Sequence, residues 1–330
     1  MTDRIRADLE AALGVRVVSV ESIPEGHSGF TYFVFSEDGE YVLRLPPPGA
    51  RIIGTADVMR QGRIMAALHD AGLPTPAVPV ICSDPLIDGR PFILMERTHG
   101  ERIETTAERE APIDIARHAV EVLKKLQALP LDMTGIGDEE PVTLQVEMMR
   151  WAMLMQRAPE ELTTRAGDLG GMLAAQVPAE RLPTLVHGDY HLGNMLFRGP
   201  EVVAVLDWEI AELGQPLLDL GCLCAMTVRR RFPNAPTPGG AVALDLEDLY
   251  GLYGVDPGEM RWYVGFSLYK YAAILGYNLM LHRKGRRPDP MYEQLTDTIT
   301  GMIDEGITLL RGEHAPRAVA PAKPGPARPP

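Results

Sequence analysis

Residues 185–209 read LVHGDYHLGNMLFRGPEVVAVLDWE, and this stretch decides the fold. Its second half has the pattern of a hairpin. MLF at 195–197 is followed by a Gly-Pro pair at 199–200 that suits a turn, then by the β-branched run VVAVL at 202–206. A hairpin joins the residues at its open end, so Asn194, just before the first strand, is placed beside Asp207, just after the second. Asp189 lies on the loop leading in. Three oxygen-bearing side chains converging on one point suit a magnesium–phosphate site, because Mg²⁺ is a hard ion that takes one or two protein oxygens plus phosphate oxygens and water. The full spacing, H-x-D-x₄-N-x₁₂-D from His187 to Asp207, is far more specific than an isolated H-x-D.

Upstream, the first hundred residues have strand character. Residues 15–20 are rich in valine, 31–35 read TYFVF and 41–45 read YVLRL. Between the last two lies SEDGE, whose Asp-Gly pair marks a hairpin turn. Pro46, Pro47 and Pro48 stop the third run, since proline cannot donate to a ladder. Over 56–71 the period becomes helical, with Val58, Met65 and Leu68 on one face and Gln61 among them. An amide in an apolar interface needs a partner, because leaving it unpaired costs ~1–3 kcal/mol. Apolar runs at 77–82 and 91–95 complete five strands and one helix. Beyond residue 100 the pattern is helical. Pro112 suits a first turn, with Ala116, Ala119, Val120, Leu123 and Leu126 at helix spacing. Further helices are expected near 143–157, 217–231, 245–253, 258–283 and 291–311. The end of the chain, EHAPRAVAPAKPGPARPP at 313–330, is too rich in Pro and Ala to bury a core and is expected to be disordered.

At 330 residues, with about 150 per domain, two lobes are expected. Forty-five acids against 32 bases leave a net charge of −13, which argues against nucleic-acid partners and anionic membrane surfaces and mildly favours cations. Cys82, Cys222 and Cys224 cannot build a disulfide framework, so a reducing cytoplasm is the expected address. Cys222-x-Cys224 reads as a pair of small buried residues. The first 14 residues are charged and amphipathic, unlike a secretory leader. The apolar run at 262–281 is interrupted by Ser267, Lys270 and Asn278. A lysine mid-span costs about 3 kcal/mol on insertion scales, so a buried core helix is expected there and not a membrane span.

The His187–Asp207 spacing matches the catalytic loop and metal acid of protein kinases. HGDYHLGNMLF (187–197) with VLDWE (205–209) resembles the aminoglycoside phosphotransferase/choline kinase family, which has a protein-kinase-like fold. IAELGQPLLDLG (210–221) is similar to the segment after the metal acid in that family. YVLRLPPPG (41–49), DVMRQGRIMAAL (57–68) and RPFILMERTHG (90–100) most resemble the subgroup found alone in bacteria or fused ahead of acyl-CoA dehydrogenases. The resemblance covers roughly residues 15–300.

It implies an α+β, two-lobed fold: an antiparallel-sheet nucleotide-binding lobe over 1–97, a hinge about 95–99, and a helical lobe with catalytic loop and acceptor site over 98–312. It further implies transfer of the γ-phosphate of ATP or GTP, with Mg²⁺ as cofactor, to a hydroxyl of a small molecule. Asp189 would accept the hydroxyl proton, His187 would brace the loop, and Asn194 and Asp207 would bind the metal, with Glu209 a candidate behind it. Arg44 and Gln61 stand where kinases carry a strand lysine and a helix glutamate, and would position the nucleotide phosphates. Met95, Glu96 and Arg97 would read the purine edge. Ser28 and Gly29, in EGHSGFT (25–31), would offer backbone N–H groups to phosphate. Asp219 would anchor the catalytic loop by accepting backbone hydrogen bonds.

For the acceptor, the subgroup resemblance points to a hydroxyacyl thioester or hydroxy acid, and the acidity of the chain to an aminoglycoside-like cation. The same residues support two rival functions. Gln61 suggests a degenerate kinase fold that binds nucleotide or a partner without turnover, and His187-x-Asp189-x-His191 a transition-metal hydrolase. Met148, Met149, Met153 and Met155 read as core filler or as the lining of an apolar acceptor pocket. Asp245, Glu247 and Asp248 read as a solvated helix start.

Overall fold

The computed structural model describes residues 2–23, 30–232 and 240–313. The chain opens with helix α1 (Thr2–Leu13) and then builds a five-stranded antiparallel sheet from β1 (Val17–Ser22), β2 (Phe30–Ser36), β3 (Gly39–Leu45), β4 (Val80–Ile87) and β5 (Arg90–Glu96), in the order β1-β2-β3-β5-β4. All five runs expected from the sequence are strands. The turn at 36–40 closes a tight hairpin in which Ser36 pairs with Gly39.

Side chains alternate across a strand, so β5 serves two cores. Phe92 and Leu94 face α1, closing over Ile5, Leu9, Tyr32 and Leu43. Ile93 and Met95 face helix α2 (Val58–Asp70), meeting Ile64, Met65 and Leu68, and this second core runs on into the rest of the molecule. Helix α2 is therefore packed against both the sheet and the helical lobe. Gln61 lies on its buried face, 1% exposed, as the periodicity requires.

The helical lobe follows with α3 (Ile103–Thr106), α4 (Pro112–Gln127), α5 (Leu144–Met155) and α6 (Ala166–Ala175). Four short strands come next: β6 (Thr184–Val186), β7 (Met195–Arg198), β8 (Glu201–Val205) and β9 (Glu212–Gly214). The chain then enters α7 (Leu217–Arg229), α8 (Leu246–Tyr253), α9 (Pro257–Arg283) and α10 (Thr296–Leu310). Helix α4 starts on Pro112, buries the five residues named from its spacing, and ends near Lys124 and Lys125, which complement the negative end of the helix dipole.

Helix α9 is the axle of this lobe. Its 27 residues span about 40 Å, and it packs against α5, α6, α7, α8 and α10. It is buried on all sides through its middle, which explains the long apolar run. Among the described residues, no helix is long and apolar enough to cross a membrane.

Helix α6 was not expected from the sequence. Three glycines in AGDLGGMLAA each cost about 1 kcal/mol of helix propensity. Packing supplies the difference: Ala166, Leu169 and Leu173 are buried, and Leu169 sits against Gly306 of α10 so closely that a Cβ there would lie 2.8 Å away.

Cys222 and Cys224 are buried and unpaired, as small core residues should be. The α5 methionines divide: Met155 is in the core, while Met149 and Met153 are exposed. Glu247 and Asp248 are exposed in the first turn of α8. The expectation for the tail concerns 313–330, of which 314–330 lie outside the described residues, as do Ser28 and Gly29.

Candidate active site

The loop between β6 and β7 carries His187, Asp189 and Asn194. Its entry is pinned from α7, where buried Asp219 accepts the backbone N–H of His187 (2.8 Å) and that of Gly188 (2.9 Å) on its two carboxylate oxygens. Gly188 has φ +82°, and a Cβ on it would lie 2.8 Å from the Ile210 carbonyl oxygen, so both backbone and space demand glycine.

His187 is completely buried. Its Nδ1 accepts the Asp189 backbone N–H at 3.1 Å, which puts the proton on Nε2, and Nε2 donates to the Leu206 carbonyl at 2.8 Å. The ring also packs 4.6 Å from that of Trp208. The imidazole thus ties the loop to the strand end that delivers Asp207. With both nitrogens engaged it has none left for a metal, which disposes of the hydrolase reading.

Strands β7 and β8 form the expected hairpin, Met195 opposite Val205, and the Leu206 N–H donates to the Asn194 carbonyl at 2.8 Å. Asn194 and Asp207 therefore flank its open end. The Asn194 amide donates to both the Asp189 carbonyl (2.9 Å) and its carboxylate (3.0 Å). Its Oδ1, which accepts no bond within the described residues, is left to coordinate. Asp207 has φ 66° and ψ 59°, a left-handed conformation costing roughly 1–2 kcal/mol outside glycine, with its side chain 38% exposed. Carboxylate and amide oxygens form the hard donor set that Mg²⁺ prefers, so these two residues fit that ion.

Asp189 is held on every side. Oδ1 accepts from the Tyr271 hydroxyl at 2.7 Å, and Oδ2 from Asn194, with His191 Nε2 at 3.4 Å. Burial pushes this carboxyl up, but the charge and hydrogen bond of His191, the charge of Lys270 and the Tyr271 bond outweigh it, leaving Asp189 well below the usual carboxylate range.

Sequence reasoning missed Tyr271 and Lys270, both on α9. Lys270 is 3% exposed, donates to the Gly188 carbonyl, and lies 4.9 Å from the centre of the Trp151 ring. The signal was present as a lysine inside an apolar run. What was missing was the knowledge that α9 passes behind the loop between β6 and β7.

Above the loop, the Arg44 guanidinium of β3 bonds Asp207 Oδ1 (3.4 Å) and Glu209 Oε2 (3.1 Å). The strand arginine therefore sits against the two acids that follow the hairpin. In the stretch at 95–97, Met95 is buried, the Glu96 N–H donates to the Ala77 carbonyl (2.8 Å) and the Arg97 N–H to the Glu40 carbonyl (3.0 Å). The Arg97 side chain pairs with Glu40 at 3.0 Å and lies over the Phe33 ring at 4.3 Å.

Behind the loop is a buried acid pair. Arg150 bridges Glu147 and Glu212, reaching Glu212 at 2.8 Å, and Trp151 Nε1 donates to Glu147 at 2.9 Å. Burial, then the charge of Glu147, raises the Glu212 carboxyl to about 7 against the pull of Arg150. The folded state therefore keeps a proton here that the unfolded chain releases from about pH 4.3 upward. Stability should fall as pH rises from there to about 7, by at most ~1.4 kcal/mol per unit, and level off above. Glu212→Gln should flatten that slope in melting temperatures recorded from pH 5 to 8; an unchanged slope would put the proton elsewhere.

An antiparallel sheet above a helical lobe, with a loop and hairpin that gather an Asp, an Asn and a second Asp, is the arrangement of the protein-kinase-like fold, here with Arg44 in the place of the strand lysine. Within that class, the profile of the phosphotransferase enzyme family, APH, matches residues 19–263, and the chain belongs to that family. It is 30% identical over 278 residues to mouse (Mus musculus) acyl-CoA dehydrogenase family member 10, a match covering 76% of this chain and 25% of that protein. The chain thus corresponds to about a quarter of that relative's length. Among solved structures, a putative aminoglycoside phosphotransferase from Ralstonia eutropha JMP134 superposes with a TM-score of 0.76 at 24% identity, covering 93% of this chain and 98% of the other. A thermostable mutant of APH(4)-Ia, in a ternary complex with ADP and hygromycin B, gives 0.63 at 16% identity, with 92% and 98% covered. At these identities the structural matches speak for the fold.

Proposed function

We propose that the chain transfers the γ-phosphoryl group of ATP or GTP to a hydroxyl of a small molecule. The observation that carries this reading is the convergence of Asp189, Asn194 and Asp207, with the Asn194 amide turned so that its oxygen remains for a cation. Asn194 and Asp207 would hold Mg²⁺, which would supply positive charge to offset that of the phosphate oxygens. Arg44, now on Asp207 and Glu209, would contact the same phosphates, since a guanidinium can fork onto two oxygens. A carboxylate as weakly basic as Asp189 serves chiefly to aim the acceptor hydroxyl. It takes the proton late, when a loose transition state has made that oxygen acidic. His187 and Asp219 keep the loop rigid while this happens. Because the Glu96 and Arg97 N–H groups are already engaged, a purine edge at the hinge would be read by neighbouring backbone groups.

The ADP and hygromycin B held by the APH(4)-Ia structure support a nucleotide and a hydroxylated small molecule as the pair of substrates. Likeness to an acyl-CoA dehydrogenase family protein supports a hydroxy acid or hydroxyacyl thioester as acceptor. Mg²⁺-ATP or Mg²⁺-GTP should raise the melting temperature, by about 2.7 kcal/mol of stabilisation at a hundred times Kd. Nucleoside diphosphate should then appear when acceptor is added. No rise with either nucleotide would overturn the proposal. A rise without transfer to any hydroxylated metabolite would favour a nucleotide-binding protein without turnover.

A further inference from the structure

Asp219, Cys222, Met226 and Arg229 follow one another along a single face of α7, at helix spacing. This face runs past the catalytic loop: Asp219 holds the loop backbone, and Cys222 Sγ lies 3.5 Å from the Gly188 carbonyl oxygen. Arg229 lies seven residues, about 10 Å, farther along the axis. There it experiences the fields of Tyr271 and Asp189, the two groups already joined by a 2.7 Å hydrogen bond.

Among the described residues Arg229 has no carboxylate partner. Its Nε is buried without a hydrogen bond, and Nη1 meets the Met226 thioether at 4.0 Å, a weak acceptor. Burial pushes its guanidinium below the ordinary value, with Tyr271 and Asp189 opposing. The chain does not lack acids, since it carries 45 against 32 bases. Arg44, Arg60, Arg90, Arg97, Arg150 and Arg231, all wholly or partly buried, each meet one. A desolvated, unneutralised arginine on the helix face that runs past the loop of the hydroxyl-orienting acid is a fork waiting for an anion, because guanidinium binds carboxylate or phosphate through two parallel bonds.

We propose that Arg229 docks an anionic group, a carboxylate or a phosphate, carried by the acceptor whose hydroxyl Asp189 orients. The proposal rests on the phosphotransferase reading and makes the acceptor an anion, as opposed to the aminoglycoside-like cation that net charge alone would favour. The anion has two sources, the carboxylate of a free hydroxy acid or the phosphate of a thioester carrier.

The test uses ω-hydroxy carboxylates of three to six carbons, their carboxamides, hydroxyacyl-pantetheine with and without a terminal phosphate, and kanamycin as the cationic probe. Melting temperature and diphosphate release are measured for the wild type, Arg229→Gln and Arg229→Lys. The wild type should be stabilised by, and turn over, one anionic series and not its neutral match. In Arg229→Gln the acceptor KM should rise about 10- to 100-fold, the worth of a lost charge-assisted hydrogen bond, with kcat and nucleotide stabilisation preserved. Arg229→Lys should recover part of the loss. Equal use of acid and amide, an unchanged KM in Arg229→Gln, no response to any anionic probe, or preference for kanamycin overturns the proposal. Should Arg229→Gln fail to fold, the wild-type acid–amide comparison decides alone. Anion binding that depends on Arg229 without phosphoryl transfer would keep the anion site and discard the phosphotransferase reading; transfer to acid and amide alike would do the reverse.

Discussion

Asp189→Asn is expected to lower kcat by about 100-fold or more, the usual scale for a positioned base, while Mg²⁺-nucleotide affinity survives. The bonds around the carboxylate are the reason. Oδ1 accepts from the Tyr271 hydroxyl, and Oδ2 from the Asn194 amide with His191 nearby. An asparagine can turn its oxygen to Asn194 and its NH₂ to Tyr271, whose hydroxyl rotates to accept. The loop therefore keeps its shape, and what is lost is the negative charge that aims the acceptor hydroxyl and finally takes its proton. The mutation spares Asn194 Oδ1 and Asp207, so nucleotide should still stabilise the protein. Wild-type turnover in Asp189→Asn, measured by diphosphate release, would remove this residue from the mechanism.

Asp207→Ala is expected to abolish the nucleotide-induced rise in melting temperature and to cut kcat/KM on the order of 10³-fold, the scale of losing one electrostatic clamp on a transferring group. Alanine is awkward at φ 66°, so a destabilised backbone could imitate the loss of a ligand. Asp207→Asn separates the two effects, because asparagine tolerates the left-handed region and keeps an oxygen. It should melt within a few degrees of the wild type without nucleotide. The Arg44 contact it weakens is part-exposed, and such pairs contribute about 1 kcal/mol or less. It should also lose most of the nucleotide response. Retention of that response in both variants would place the cation elsewhere.

The convergence of the candidate site residues was legible in the sequence because it is local. Asp189, Asn194 and Asp207 lie within nineteen positions, and a hairpin of short loops leaves little freedom in how its ends meet. The five strands, the buried position of Gln61 and the loop-anchoring role of Asp219 were legible too, from period-two and period-3.6 patterns and from family resemblance. Helix α6 was not, since its glycines argue against a helix and only Leu169 packed on Gly306 overrules them. Tyr271 and Arg229 escaped for another reason. They are some 80 and 40 residues from Asp189 along the chain, and no pattern in sequence says which residues of α7 and α9 face the loop.

The sequence by itself determined the two-lobed class, the hairpin that gathers the acid–amide–acid set, and the burial of α9, because turn chemistry and hydrophobic periodicity act over a few residues. Only the tertiary structure decided that Tyr271 and Lys270 support the loop between β6 and β7, that Arg44 rests on Asp207 and Glu209, and that Arg229 has no carboxylate partner within the described residues. Those contacts depend on how helices rotate and slide against one another. That is settled by the packing of whole faces at once, and no single segment of the chain encodes it.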